Sequence, residues 1–260
     1  MSDRASRLAR QWRALGKHRA FIPYITAGFP TPDVSLDVLR RVVAAGADFV
    51  EVGVPFSDPL ADGPTIQRTT QAALEQGMTM PRVLQLVRTA ALDVPVIIMT
   101  YLNPVMAYGV ERFIRDAQDA GVAGVVLTDL PAGADASVEQ AVTSSALSLI
   151  RLVAPTTDDA RLAAALQNAS GFVYLISRLG VTGARDTVPA DLEHHVRRIR
   201  VITRLPVAVG FGIATPAQAT AAARHADGVV VGSALMDALA TGGVAAAERL
   251  ARDLAAAVHA

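Results

Sequence analysis

The chain has 260 residues, 52% of them apolar and 18% charged, enough to bury a sizeable core as one large α/β domain or two smaller ones. Lys plus Arg and Asp plus Glu number 24 each, so the formal net charge is zero and gives no reason to expect nucleic acid or an anionic membrane as partner. Cysteine is absent, which excludes disulfides, thiolate nucleophiles and Cys-based metal sites and fits a reducing cytoplasm.

Near the start, Arg4, Arg7, Arg10, Arg13, Lys17 and Arg19 resemble a targeting peptide in charge, yet no apolar central region follows them. Leu8, Trp12 and Leu15 fall at helical spacing, so an amphipathic helix is expected to close one end of the domain with its arginines solvated. Beyond it, short β-rich apolar runs alternate eight times with Ala/Leu/Arg stretches. Strands are expected near Ala20–Ala27, Ala47–Val54, Val94–Tyr101, Val122–Asp129, Leu147–Val153, Gly171–Ser177, Pro206–Phe211 and Asp227–Val231. Helices are expected near Asp33–Ala45, Ile66–Gln76, Arg82–Ala91, Val110–Ala120, Asp135–Ser145, Asp158–Asn168, Ala190–Arg204, Pro216–His225 and Val244–Val258. Eight near-continuous apolar strands alternating with helices imply a parallel sheet closed on itself, a (β/α)8 TIM barrel with an extra N-terminal helix. No linker or composition shift divides residues 1–260, so one domain is expected. A doubly wound open sheet is the structural alternative, but no strand leads into a dinucleotide-type glycine turn. No apolar run approaches the ~18 residues of a membrane span.

The second strand and the loop after it, Phe49 to Pro64, carry the chemistry. Val50, Val52 and Val54 alternate with Phe49, Glu51 and Gly53, which puts Glu51 on the opposite face from the valines, inside an apolar segment. Burial disfavours its charged form and raises its pKa toward the range of a neutral-pH acid/base. Pro55 stops the ladder, and Asp58 and Asp62 lie on a loop stiffened by Pro59, Gly63 and Pro64. The bland alternative makes Glu51 a structural charge paired with an arginine and makes both aspartates turn formers.

Other polar residues gather at the carboxyl ends of the expected strands, where barrel active sites lie: Thr26 and Gly28, Tyr101 and Asn103, Asp129, Tyr174, and the loop Ser177 to Gly183. Gly210-Phe211-Gly212 ends the seventh strand, and Gly232-Ser233 ends the eighth just before a short helical piece, Ala234–Leu239. Glycines allow backbone N–H groups to approach an anion and a helix N-terminus supplies free donors, so a phosphate is expected there.

Phe49 to Gln67 closely resembles the signature of the tryptophan synthase alpha chain family. Pro23 to Gly28, Ser177 to Gly183, Gly210 to Gly212 and Gly232-Ser233 match it in order and spacing over nearly the whole chain. The resemblance implies a TIM barrel that cleaves indole-3-glycerol phosphate to indole and glyceraldehyde 3-phosphate without cofactor or metal. It makes Glu51 the general acid/base, Asp62 the partner of the indole N–H, Tyr174 a support and Thr182 the residue that positions Asp62. Gly183, Gly212, Gly232 and Ser233 would bind phosphate, and Phe21, Ile66, Met99 and Phe211 would line the indole pocket. It further implies an α2β2 complex, in which a beta chain carrying pyridoxal phosphate docks on the loop bearing Pro55 and Asp58. A stand-alone lyase releasing free indole, and a barrel kept only as a binding subunit, are the alternatives; the intact Glu51 and Asp62 disfavour the second. Sugar-phosphate isomerases would explain the late glycines but not the second-strand loop.

Overall fold

The computed structural model describes residues 6–176, 191–210 and 212–260. Eight parallel strands run in sequence order and close into a barrel: β1 (Ala20–Thr26), β2 (Val50–Gly53), β3 (Val96–Thr100), β4 (Val122–Leu127), β5 (Ser148–Val153), β6 (Val173–Ile176), β7 (Val207–Gly210) and β8 (Gly228–Val231). Closure is made by β8 against β1, with Phe21 opposite Val229. Around the strands lie α1 (Arg7–Leu15), α2 (Pro32–Ala44), α3 (Pro64–Glu75), α4 (Met80–Ala90), α5 (Leu102–Tyr108), α6 (Val110–Asp119), α7 (Ala136–Thr143), α8 (Asp159–Leu166), α9 (Leu192–Ile202), α10 (Pro216–Ala223) and α11 (Ser233–His259). This is the expected TIM barrel with its additional N-terminal helix.

Strand period two separates two apolar layers. Val50, Val52, Ile98, Val125, Leu149 and Val209 pack outward against the helices. Ile22, Phe49, Ile97, Val126, Ile150, Phe172, Ala208 and Val230 fill the barrel itself, and α1 caps that inner layer with Leu8 and Trp12. The Trp12 ring lies 4.8 Å from Phe49 and meets Phe172 edge-on at 5.8 Å. A Cβ on Gly228 would come 2.9 Å from the same indole, so β8 has glycine where the plug passes. Burying side chains of this size contributes roughly 1.5–3 kcal/mol each, and Trp12→Ala would cost about 3–5 kcal/mol.

The helices start where the sequence supplies caps. Thr31 accepts from the Val34 N–H ahead of Pro32 in α2, and Thr215 with Gln218 forms a reciprocal capping box at α10. One element differs from expectation. α5 is an added helix after β3, in which Pro104 falls in the first turn, where its missing N–H has no consequence. The expected pieces Ala234–Leu239 and Val244–Val258 are both helical and meet at a kink at Gly243, φ 67° and ψ −168°, within α11. Among the described residues no helix is long and apolar enough to cross a membrane.

Candidate active site

One cavity at the carboxyl end of the barrel takes in residues from opposite sides of the rim. Tyr24, Glu51, Asp62, Ile66, Met99 and Tyr174 line one part, and Gly212, Ile213, Gly232, Ser233 and Asp237 the other. Glu51 reaches it because Phe49, Glu51 and Gly53 face inward while the β2 valines face the helices. Its carboxyl group is 1% exposed, and neither oxygen has a hydrogen-bond partner among the described residues. Among the described residues no arginine pairs with it, as the structural alternative requires. Burial, and secondarily the charge of Asp62, pushes the Glu51 carboxyl up to about 8.

Asp62 sits on the loop after β2, which is stitched by Leu60 N–H to Asp58 O at 2.9 Å and Asp62 N–H to Pro59 O at 3.0 Å. Tyr101, at the end of β3, donates its hydroxyl to Asp62 Oδ2 at 3.0 Å and accepts from the Ala61 N–H at 2.9 Å. Burial raises the Asp62 carboxyl to about 6, against the lowering effect of the Tyr101 bond. At neutral pH the pair therefore holds one proton, on Glu51, and one negative charge, on Asp62. Environments that push two nearby carboxyl groups apart in this way assign one as acid and the other as electrostatic stabiliser.

Across the cavity, Gly232 precedes the first turn of α11 and no side chain caps that helix. Its first N–H groups lack intrahelical acceptors and face the space beside Ser233. Gly212 has φ +86°, and no atom of the described residues lies within 4 Å of where its Cβ would stand. One turn along α11, Asp237 is held by Thr65 at 3.1 Å and Arg68 at 2.6 Å, which offsets its charge at the mouth of this anion-suited corner.

The alpha chain model of tryptophan synthase matches residues 12–259. The chain belongs to the tryptophan synthase alpha chain family. Tryptophan synthase alpha chains from Gluconacetobacter diazotrophicus and Phenylobacterium zucineum are 48% and 47% identical to it, over 96% and 91% of this chain and 94% and 85% of theirs. Among solved structures, a tryptophan synthase from Mycobacterium tuberculosis superposes with TM-score 0.92 at 39% identity, covering 98% of this chain and 99% of that one. The tryptophan synthase alpha subunit of Legionella pneumophila gives 0.89 at 33%, covering 97% and 98%. A lyase of tryptophan biosynthesis is thereby the class to which this barrel belongs.

Of the residues singled out in the family signature, Glu51, Asp62, Tyr174, Ile66, Met99, Gly212, Gly232 and Ser233 come together around the cavity. Phe21 does not. It packs in the layer between sheet and helices, and Tyr24, three residues on and therefore on the other face of β1, takes the place in the cavity. Thr182, Gly183 and Phe211 lie outside the described residues. Pro55 is buried beneath the loop, so the surface that loop offers is Asp58 and Leu60, the latter 91% exposed. Asp129 accepts from the Leu102 N–H at 2.7 Å and so caps α5, while Asn103 is exposed on that helix. Tyr24, Tyr101, Thr65 and Asp237 are polar residues at the site to which the resemblance gave no role.

Proposed function

We propose that this chain, acting as one barrel domain over residues 1–260, cleaves indole-3-glycerol phosphate to indole and glyceraldehyde 3-phosphate with its own side chains and no cofactor. The buried Glu51 carboxyl, partnerless among the described residues and protonated beside an ionised Asp62, is the observation that carries this reading. Glu51 gives its proton to the indole ring carbon that bears the glycerol chain. Positive charge then spreads to the ring nitrogen, whose N–H faces the Asp62 carboxylate. Glu51, now a carboxylate, takes the proton from the hydroxyl on the adjoining side-chain carbon. The C–O becomes C=O, the carbon–carbon bond breaks, and its electron pair returns to the ring as neutral indole. One proton enters and one leaves, so Glu51 ends as it began.

Asp62 acts on charge that grows during the reaction, the kind of interaction that lowers a barrier rather than tightening substrate binding. Tyr174 supports the ring pocket with Ile66 and Met99, and Thr182 positions Asp62. Gly212, Gly232, Ser233 and Gly183 hold the phosphate, and Phe211 closes the indole pocket. The partner is a tryptophan synthase beta chain in an α2β2 complex, docking on the loop of Asp58 and exposed Leu60; pyridoxal phosphate belongs to that partner. The setting is the cytoplasm. Indole release from indole-3-glycerol phosphate by the purified chain, with and without beta chain, tests the reaction. Full activity of the isolated chain would replace the coupled reading with a stand-alone lyase, and no release under either condition would refute the reaction itself.

A further inference from the structure

Among the described residues the cavity is lined by three carboxyl groups, Glu51, Asp62 and Asp237, and by no lysine or arginine. A phosphate ester carries about −1.5 to −2 charges at neutral pH. At the start of α11 it would find backbone N–H donors and, in the lining of the same corner, a carboxylate. Asp237 is four residues beyond Ser233 on that helix, and both line the cavity. Side chains on a helix lean toward its N-terminus, so the Asp237 carboxylate stands over the turn that Ser233 opens, on the phosphate's side. Left alone it would repel the ligand.

It is not left alone. Thr65 Oγ1, in the first turn of α3, lies 3.1 Å from both Asp237 oxygens, and Arg68 Nη2, one turn further on, meets Asp237 Oδ1 at 2.6 Å. Arg68 has no other acidic partner among the described residues. The two side chains are 58% and 49% exposed, so as a surface ion pair they add little to stability. Their effect falls instead on the field at the mouth of the corner, where one carboxylate and one guanidinium sum to zero. With Arg68 removed that sum is −1, with Asp237 neutralised it is +1, and with both changed it returns to zero. A unit charge acting across one helical turn on a doubly charged ligand changes affinity by about threefold to tenfold in a water-like dielectric at low salt.

We propose that Asp237 and Arg68 are opposed specificity residues of the phosphate corner, Asp237 repelling the anion and Arg68 cancelling that repulsion, so that together they set how strongly the site prefers a charged ligand. The inference rests on the phosphate reading of that corner given above. Calorimetric titration of the full chain with glycerol 3-phosphate, which carries its phosphate on a three-carbon chain as the substrate does, tests it without any reaction. At low ionic strength Asp237→Asn should bind about threefold to tenfold more tightly than wild type and Arg68→Ala more weakly by a similar factor. The double change, Asp237→Asn with Arg68→Ala, and the charge-keeping Arg68→Lys should each stay within about twofold of wild type. In ~1 M KCl, where the screening length is ~3 Å, all of these differences should shrink toward none. In indole release the same order should appear in KM for indole-3-glycerol phosphate and vanish with indole-glycerol lacking phosphate. A mere structural tie between α3 and α11 predicts another pattern: both single changes weaken binding, the double change does not restore it, and the unphosphorylated substrate suffers equally. That pattern, or equal binding by wild type and all variants, overturns the charge roles while the phosphate reading stands. Wild-type protein that does not bind glycerol 3-phosphate overturns the phosphate reading and this inference with it.

Discussion

Glu51 on β2 and Glu139 on α7 are 1% and 4% exposed, and of the two only Glu139 has a counter-ion among the described residues. It accepts from the Gly133 N–H at 2.7 Å and meets the Arg151 guanidinium at 2.5 Å, while Arg151 also donates to the Leu130 carbonyl at 3.3 Å. That pair lies outside the strands, between β5 and α7, and ties down the segment after β4. Glu51 points the other way, into the mouth of the barrel, with neither cation nor hydrogen bond among the described residues. A desolvated carboxylate without a partner is strongly disfavoured, so it keeps its proton instead. Equal depth thus produces a fixed anion in one place and a loaded proton donor in the other, and the partner decides which.

The sharpest way to break this contrast is to neutralise each glutamate. Glu51→Gln should fold normally and lose ~10²–10⁴ in turnover, since an amide cannot exchange the proton. Its stability should exceed wild type increasingly as pH rises. The Glu51 carboxyl has its usual value near 4.5 when unfolded and about 8 when folded, so the stability its tight proton contributes is complete below 4.5 and is lost as pH climbs through 8. Melting temperatures of both proteins from pH 5 to 9 check this; a constant difference would mean Glu51 is not held protonated. Glu139→Gln should do the reverse, costing about 3–5 kcal/mol by stranding Arg151 while the kcat of folded protein stays near wild type. Denaturant melts and turnover measured on the same samples separate the two.

Asp62→Asn comes next. In wild type, kcat/KM should fall below about 6, where Asp62 takes up a proton, and above about 8, where Glu51 loses one. Asparagine should lower turnover ~10²-fold by removing one preorganised charge, abolish the acid limb and bring the alkaline limb to lower pH, because the negative charge that helps raise Glu51 is gone. An alkaline limb that stays in place would uncouple the two carboxyl groups. A smaller effect is expected from Gly212→Ala: the added methyl enters the open space beside the α11 N-terminus on a backbone with φ +86°. KM for the phosphorylated substrate should rise about tenfold, with little change for indole-glycerol lacking phosphate. The smallest is Asp58→Ala, which should leave the isolated chain unchanged and shift the beta-chain titration to weaker binding by about threefold, as for one rim charge.

Much of this arrangement was legible without coordinates because β2 announces its faces. An acid among valines at period two, ended by Pro55, can only be read one way round. β1 gives no such signal. Ala20 to Thr26 is buried throughout, so its two faces look alike in sequence, and which one enters the barrel is set by register against β2 and β8. The resemblance puts Phe21 in the pocket, and nothing in the sequence pattern of β1 corrects it in favour of Tyr24. The Thr65–Arg68–Asp237 cluster was equally silent, since it joins helices about 170 residues apart in the chain. The late glycines, by contrast, follow strands seven and eight, and a rule about that place in barrels suffices to expect a phosphate there.

Trp12 is the chain's single tryptophan, and it occupies the end of the barrel remote from the chemistry. Its neighbours Phe49 and Phe172 come from the segments leading into β2 and β6, and Gly228 from β8, more than 200 residues further along. α1 therefore waits for β8 before its plug has a socket, a long loop closure of the kind that slows folding. Its fluorescence is accordingly a reporter of ring closure: intensity and wavelength should reach native values only in the final folding phase, after the helical signal has largely formed.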